Sequence, residues 1–207
     1  MLETAGETGG TAATTSAADG RQRILDEAAR LFVDQGYAAT TLRQIATAAG
    51  IKAGSVYYHY ASKDELFDAV LAQGIDVMEA AFADAADETA DLDARTTVRH
   101  HVRAHLASLF EHGPYTAAHV TAFHTAPPDV RAAAIERRDA YEALWSALLH
   151  DLVVEGALRS DLHVGTTRLL LFGAMNSTVE WFDPAGRNTL DDLAEAITEQ
   201  FWSGAAA

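Results

Sequence analysis

Between Thr41 and Lys63 the chain reads TLRQIATAAGIKAGSVYYHYASK, a stretch rich in side chains that can donate hydrogen bonds to a polar or anionic surface. Leu42, Ile45, Ala46 and Ala49 share one helical face, and Gly50-Ile51-Lys52 makes a turn. A second short helical segment then carries Tyr57, Tyr58, His59 and Tyr60 in succession. Two short helices joined by a glycine-containing turn form the helix-turn-helix signature, whose second helix enters the DNA major groove. Val56 and Tyr60 lie four apart and are expected to face the core, which leaves the intervening rings and hydroxyls facing outward.

Histidine offers a second possible chemistry. Six of the nine histidines lie between His100 and His124, and His101 with His105 has the i,i+4 spacing that can clamp a metal on one helix face. No HExxH pattern accompanies them, so a third ligand would come from His112, His119, His124 or a carboxylate. Histidines beside a cavity also serve as hydrogen-bonding or pH-sensitive groups. The expectation is no metal and no cofactor, with a metal-responsive protein as the alternative. Catalysis is not expected: there is no GxSxG, no phosphate-binding loop and no cysteine. The missing cysteine also excludes disulfides and thiolate metal sites.

The formal charge of −15 should repel a polyanion, but it is unevenly spread. Residues 20–63 hold six basic residues (Arg21, Arg23, Arg30, Arg43, Lys52, Lys63) against three acidic ones (Asp26, Glu27, Asp34). A locally basic module on an acidic body fits DNA contact confined to one end. No apolar run reaches the ~18 residues of a membrane span. The N-terminus lacks the basic start and apolar centre of a signal peptide, so a cytoplasmic protein without membrane contact is expected.

These residues must be positioned by helices. Four prolines, many alanines and little alternating β-branched sequence predict an all-α fold of about nine helices. Residues 1–19 are small, polar and aperiodic, which predicts a disordered tail. The first helix is expected from Gly20 to Gln35, stopped by Gly36. Thr40 or Thr41 caps the next, and Ser62 with Glu65 forms a capping box for a long helix reaching Thr89. Further helices are expected at 96–111, 115–124, from Pro128 through Ile135, Tyr141, Leu144, Trp145, Leu148, Leu149 and Leu152 to Gly156, 164–182 and 190–202. The expected division is a tail (1–19), a helix-turn-helix domain (20–66) and a larger helical ligand-binding and dimerisation domain (67–207).

The series Gly36-Tyr37, Thr40-Thr41-Leu42-Arg43-Gln44-Ile45-Ala46, Gly50-Ile51, Gly54-Ser55-Val56-Tyr57-Tyr58-His59-Tyr60 and Lys63-Asp64-Glu65-Leu66 resembles the tetracycline-repressor family of bacterial transcription regulators. The specific resemblance covers roughly residues 20–70. It implies a homodimer that binds a palindromic double-stranded operator and leaves it when a small-molecule effector enters the C-terminal domain. It carries DNA contacts onto Thr41, Gln44, Lys52, Gly54, Tyr57, Tyr58, His59 and Lys63. The chemistry agrees: Gly54 allows close backbone approach, tyrosine hydroxyls and His59 donate to phosphates, and Lys63 is a point charge. Base reading falls to Gln44, Arg43, Lys52, Ser55 and the face of Tyr57.

Two apolar stripes suit a two-fold four-helix interface. One is Leu169, Phe172, Met175, Val179 and Phe182; the other is Leu190, Leu193, Ala194, Ile197 and Phe201. Ordinary intrachain core would give the same stripes, and the resemblance favours a dimer interface at Leu169, Phe172, Leu190, Leu193, Ile197 and Phe201. Ligand-pocket candidates are Val102, Leu106, Phe110, Phe123, Tyr141, Trp145, Met175, Asn176 and Val179, a set that describes a cavity or a core equally well. The segments Pro128-Asp129-Val130-Arg131, Tyr141-Glu142-Ala143-Leu144-Trp145 and Asn176–Phe182 are similar to members that sense acyl-CoA thioesters, whose phosphates could pair with Arg103, Arg131, Arg137 and Arg138. The expected function is a ligand-released transcriptional regulator, most often a repressor in that family. The remaining alternative is a small-molecule binder with a vestigial DNA domain.

Overall fold

The computed structural model describes residues 10–207. Among these residues nine α-helices follow one another, as the periodicity predicts: α1 (Gly10–Ala39), α2 (Leu42–Ala48), α3 (Ala53–His59), α4 (Lys63–Thr89), α5 (Ala94–Phe110), α6 (Tyr115–Ala122), α7 (Pro128–Val154), α8 (Val164–Asn176) and α9 (Leu190–Ala205). The helix α1 starts earlier than expected. Residues 10–19, read as part of a disordered tail, continue it as helix, while residues 1–9 lie outside the described residues. An alanine-rich run without proline adds turns to a helix already nucleated, which is the favourable half of helix formation.

Local chemistry sets the breaks. Gly36 sits at φ 77°, a left-handed conformation that interrupts α1 where a C-terminal stop was expected. The Thr40 hydroxyl donates to the Gly36 carbonyl at 2.8 Å, and Thr41 is the residue that caps α2. Its hydroxyl accepts from the Gln44 N–H at 3.2 Å, and the Gln44 side chain accepts from the Thr41 N–H at 2.8 Å, a reciprocal capping box. Ser62 caps α4 in the same way, but Glu65 reaches one residue past it to the Ala61 N–H at 2.7 Å. The helix α8 ends at Asn176, short of the expected Phe182. There Ser177 and Thr178 turn their hydroxyls onto the Ala174 and Met175 carbonyls and a 3-10 turn follows.

Burial falls into two clusters. Ile24, Phe32, Ile45, Val56, Tyr60 and Phe67 pack together with Ala118 and Phe123, so that α6 joins α1–α3 and the start of α4 in one core. Val102, Leu106, Tyr141, Trp145, Leu149 and Met175 centre the other, formed by α5, α7, α8, α9 and the second half of α4. On α7, Ile135 and Leu144 are each 39% exposed. The helix α4 belongs to both cores: Leu66, Phe67, Val70 and Leu71 fill the first, Ile75 and Met78 the second.

The handover between the cores is at Gly74. A Cβ placed there would lie 2.8 Å from the Tyr115 carbonyl oxygen and 3.2 Å from the Thr116 nitrogen, so α4 and α6 touch backbone to backbone. Gly74→Ala would force the two helices apart, since both neighbouring atoms are backbone rather than flexible side chain. Thermal or urea unfolding of that variant should show a loss of ~1–3 kcal/mol; unchanged stability would contradict the close crossing.

Candidate functional site

The second helix of the helix-turn-helix is held by two side chains and leaves the rest free. Val56 is fully buried and Tyr60 is 2% exposed, whereas Tyr57 and Tyr58 are 60% and 83% exposed. The spacing expectation holds, and the Arg21 guanidinium lies 5.2 Å from the buried Tyr60 ring. Thr41, Arg43, Gln44, Lys52, Gly54 and Ser55 are also exposed and His59 is half-buried, its ring edge-on to Tyr58 at 5.0 Å. Around Gly54 the space is open among the described residues, with none of their atoms within 4 Å of an added Cβ. These side chains come from α2, α3 and the turn between them, which Gly50 closes at φ 67°.

Lys63 is placed differently from a free point charge. Its ammonium donates to the carbonyls of Tyr37 at 2.9 Å and Thr40 at 3.0 Å, and it sits 4.0 Å from the Tyr37 ring centroid. Those carbonyls follow the break at Gly36 and lack helical partners, so Lys63 fastens the α1–α2 connection to the start of α4. The Tyr37 hydroxyl donates to Asp64 beside it. Gln44 likewise has its side-chain oxygen committed to Thr41, which leaves its amide N–H groups to face outward.

In the larger domain the structure gathers most of the pocket candidates around a polar chain. The Trp145 indole N–H donates to the Tyr141 hydroxyl at 3.0 Å, and that hydroxyl donates to His105 Nδ1 at 2.9 Å. His105 Nε2–H in turn donates to the Asn176 side-chain oxygen at 2.9 Å. Every group in this row is satisfied, which selects the Nε2–H tautomer of a neutral imidazole. Val102, Leu106 and Met175 are fully buried around it, with Val179 half-buried against the same core. Phe110 packs edge-on to Phe182 at 5.2 Å. Phe123 is not part of this group: it lies in the other core, stacked on His119 at 5.4 Å. His105 was legible only as half of an i,i+4 histidine pair, and nothing in the spacing tied it to Tyr141 and Asn176.

The metal reading loses its ligand pair. His101 Nδ1–H donates to the Thr97 carbonyl at 2.9 Å, and both His105 nitrogens are occupied. Among the described residues no three His, Asp or Glu side chains are grouped to hold a metal ion.

The expected dimer face divides as well. Leu169 is 59% exposed, and Ile197 and Phe201 line an apolar groove between α8 and α9 of about 640 Å³. Phe172 instead turns inward, with its ring 5.3 Å from His105 and 5.6 Å from Trp145. Leu190 and Leu193 are mostly buried within the chain. Leu170 and Trp181, at 71% and 62% exposure, add to the open face. Trp181 lies beyond the end of α8 and its 3-10 turn, so no helical spacing in the sequence tied it to Leu170.

Burial acts strongly on the histidines of both cores. Desolvation pushes His105 down to about 4 and, with the nearby Arg138 charge, pushes His119 down to about 4; burial also lowers His101. Between about pH 6.5 and about pH 4 the unfolded chain therefore binds protons that the folded chain does not. Stability should be flat above that window and should fall as pH drops through it, by about 3 kcal/mol each for His105 and His119. Urea unfolding at stepped pH checks this. His105→Gln, which can still bridge Tyr141 and Asn176, should flatten the decline; an undiminished slope would contradict the assignment.

Comparison with known proteins agrees with this arrangement. Residues 24–70 match the family model for bacterial regulatory proteins of the tetR family, and residues 91–205 match the tetracyclin repressor-like C-terminal domain. The HTH-type transcriptional repressor KstR2 of Rhodococcus jostii is 29% identical over 195 residues, covering 93% of this chain and 95% of that protein. The structure of the ketosteroid transcriptional regulator KstR2 of Mycobacterium tuberculosis superposes with a TM-score of 0.77 at 26% identity, over 90% of this chain and 95% of that one. AibR in complex with isovaleryl coenzyme A and operator DNA shares the fold, with a TM-score of 0.76 at 21% identity over 87% and 97% of the two chains. With a helix-turn-helix at one end and an all-helical regulatory domain behind it, the chain belongs to the tetracycline-repressor family of bacterial transcription regulators.

Proposed function

We propose that this regulator is a homodimeric repressor that sits on a palindromic operator and is released by a small molecule. The observation that carries the proposal is the outward row on α2 and α3, Arg43, Gln44, Lys52, Ser55, Tyr57 and Tyr58, standing over the buried pair Val56 and Tyr60. Exposed aromatics in a row have no packing reason among the described residues, and their hydroxyls are suited to phosphate oxygens. Thr41, Gly54 and His59 complete the contact, with Lys63 acting chiefly by holding it in place. The protein works in the cytoplasm, where DNA is, and is a binding protein rather than a catalyst. No described helix is long and apolar enough to cross a membrane.

Two copies pair through the α8/α9 groove, with Leu169, Leu170, Trp181, Ile197 and Phe201 at the contact. Such pairing sets two α3 helices about 34–36 Å apart, one turn of DNA. The effector acts only through its preference for a dimer with a different spacing.

A second reading concerns the effector. AibR is described with an acyl-coenzyme A, which favours a thioester. Here, however, Arg137 pairs with Asp68 at 2.9 Å, Arg103 with Asp191 at 2.7 Å and Arg138 with Glu142 at 3.4 Å. A coenzyme A phosphate would have to displace these partners, leaving Arg131 the least committed of the four.

Gel retardation of a DNA fragment from upstream of the protein's own gene tests the contact. Tyr57→Ala and Tyr58→Ala should each weaken binding by up to about tenfold without lowering thermal stability, because a net hydrogen bond is worth about 1 kcal/mol. Affinity should also fall steeply with salt as phosphate counterions are released. A vestigial DNA domain would retard nothing and would be indifferent to both substitutions.

A further inference from the structure

Beside the satisfied row around His105 lies a histidine with an atom to spare. His101 is 2% exposed, and its Nδ1–H is committed to the Thr97 carbonyl at 2.9 Å. A carbonyl can only accept, so the imidazole carries its proton on Nδ1 and presents a bare lone pair at Nε2. Among the described residues that Nε2 has no hydrogen-bond partner, and it is closed to water, so a donor reaches it only as the packing around the ring gives way. Protonation does not relieve it, because burial lowers the pKa of this ring. A buried acceptor without a donor is unusual enough to ask what fills it.

His101 also lines a cleft of about 430 Å³ between the end of α4, the start of α5 and α7. The walls are apolar, with Phe82, Leu148 and Leu152 inside, and Leu92 and Leu144 remain 47% and 39% exposed. Phe82 packs against His101 with ring centroids 4.4 Å apart, so a molecule entering the cleft meets both rings together. The charged side chains of the lining are Asp151 and Glu155, both acidic. An anionic head group is repelled there, and a charged donor would lose its hydration among apolar walls.

We propose that this cleft receives a neutral, largely apolar molecule bearing a hydroxyl group, whose O–H donates to Nε2 of His101. The volume is within the range of small-molecule sites, and the one unpaired acceptor gives such a ligand its orientation. Its regulatory consequence rests on the effector-released function above; the hydrogen bond does not. Occupancy would bear on α4, which supplies Phe82 to the cleft and Leu66 to Leu71 to the DNA-binding core.

Calorimetric titration of the purified full chain with 1-octanol, its isomer 1-methoxyheptane and octanoate tests the inference. The alcohol and ether have the same atoms but only the alcohol has a donor, and octanoate adds the charge. The alcohol should bind about tenfold tighter than the ether, with octanoate weakest, since a polar group left unpaired loses about that much. His101→Phe, checked for helicity, should bind alcohol and ether equally, and His101→Gln should restore part of the preference. Equal binding by the wild type, preference for octanoate, no saturable alcohol binding, or a preference surviving His101→Phe would each overturn the inference. If His101→Phe does not fold, the wild-type comparison still decides. Retarding DNA without discriminating alcohol from ether defeats this inference alone; discriminating without retarding DNA defeats the functional proposal alone.

Discussion

The close crossing of α4 and α6 at Gly74 is the constraint on which the rest depends. With no side chain at that position, the Tyr115–Thr116 backbone reaches the α4 backbone, and a single helix can fill two cores in succession. Because α6 packs with α1 and not only with the regulatory helices, the DNA-binding module is joined to the larger domain along a surface. Further contacts reinforce it: Gln22 donates to the Tyr115 hydroxyl at 2.8 Å, that hydroxyl donates to Asp26, and Arg137 forks onto Asp68 from α7. Packed elements of this kind shift as bodies rather than deforming, so a change around α7 has a direct route to α1 and α4.

Polar chemistry divides the two ends by task. At the DNA end, polar groups either finish the local structure or face outward: Lys63, Tyr37 and Asp64 close the α1–α2 connection, while Tyr57 and Tyr58 are left to a partner. In the regulatory domain the Trp145–Tyr141–His105–Asn176 row is closed on itself, and such satisfied networks fix one arrangement of a core. The groove of α8 and α9 is a third case, apolar and open, and suits a second copy of the chain. The basic character of residues 20–63 against the acidic remainder keeps the nucleic acid at one end.

How much was legible in the sequence follows from the range of each interaction. The helices and most of their ends depend on neighbours a few residues away, so Gly36, Thr41, Ser62 and Pro128 marked them well. The division of Val56 and Tyr60 from Tyr57 and Tyr58 is helical geometry and needed nothing more. The end of α8 was missed because hydroxyl-to-backbone bonds at Ser177 and Thr178 competed with an apolar stripe that ran on past them. Tertiary partners were not legible. His105 meets residues 36 and 71 positions away, Lys63 caps carbonyls more than 20 residues upstream, and Phe123 falls into the first core because α6 does. Phe172 shares the apolar stripe of Leu169 but turns toward the His105 row, a choice made by packing and not by period.

In the proposed dimer, one rigid connection along α4 sets the spacing of the two DNA-reading helices. The chain has no cysteine, so a single exposed Thr47→Cys on α2 can carry one spin label per protomer. Double electron–electron resonance then reports one distance between the protomers, free, on the upstream DNA fragment, and with a ligand chosen because it releases that fragment. A rigid connection gives a single narrow distance on DNA and a distribution displaced from it when the releasing ligand is bound. The same distance in all three states, or no inter-protomer distance at all, would contradict it.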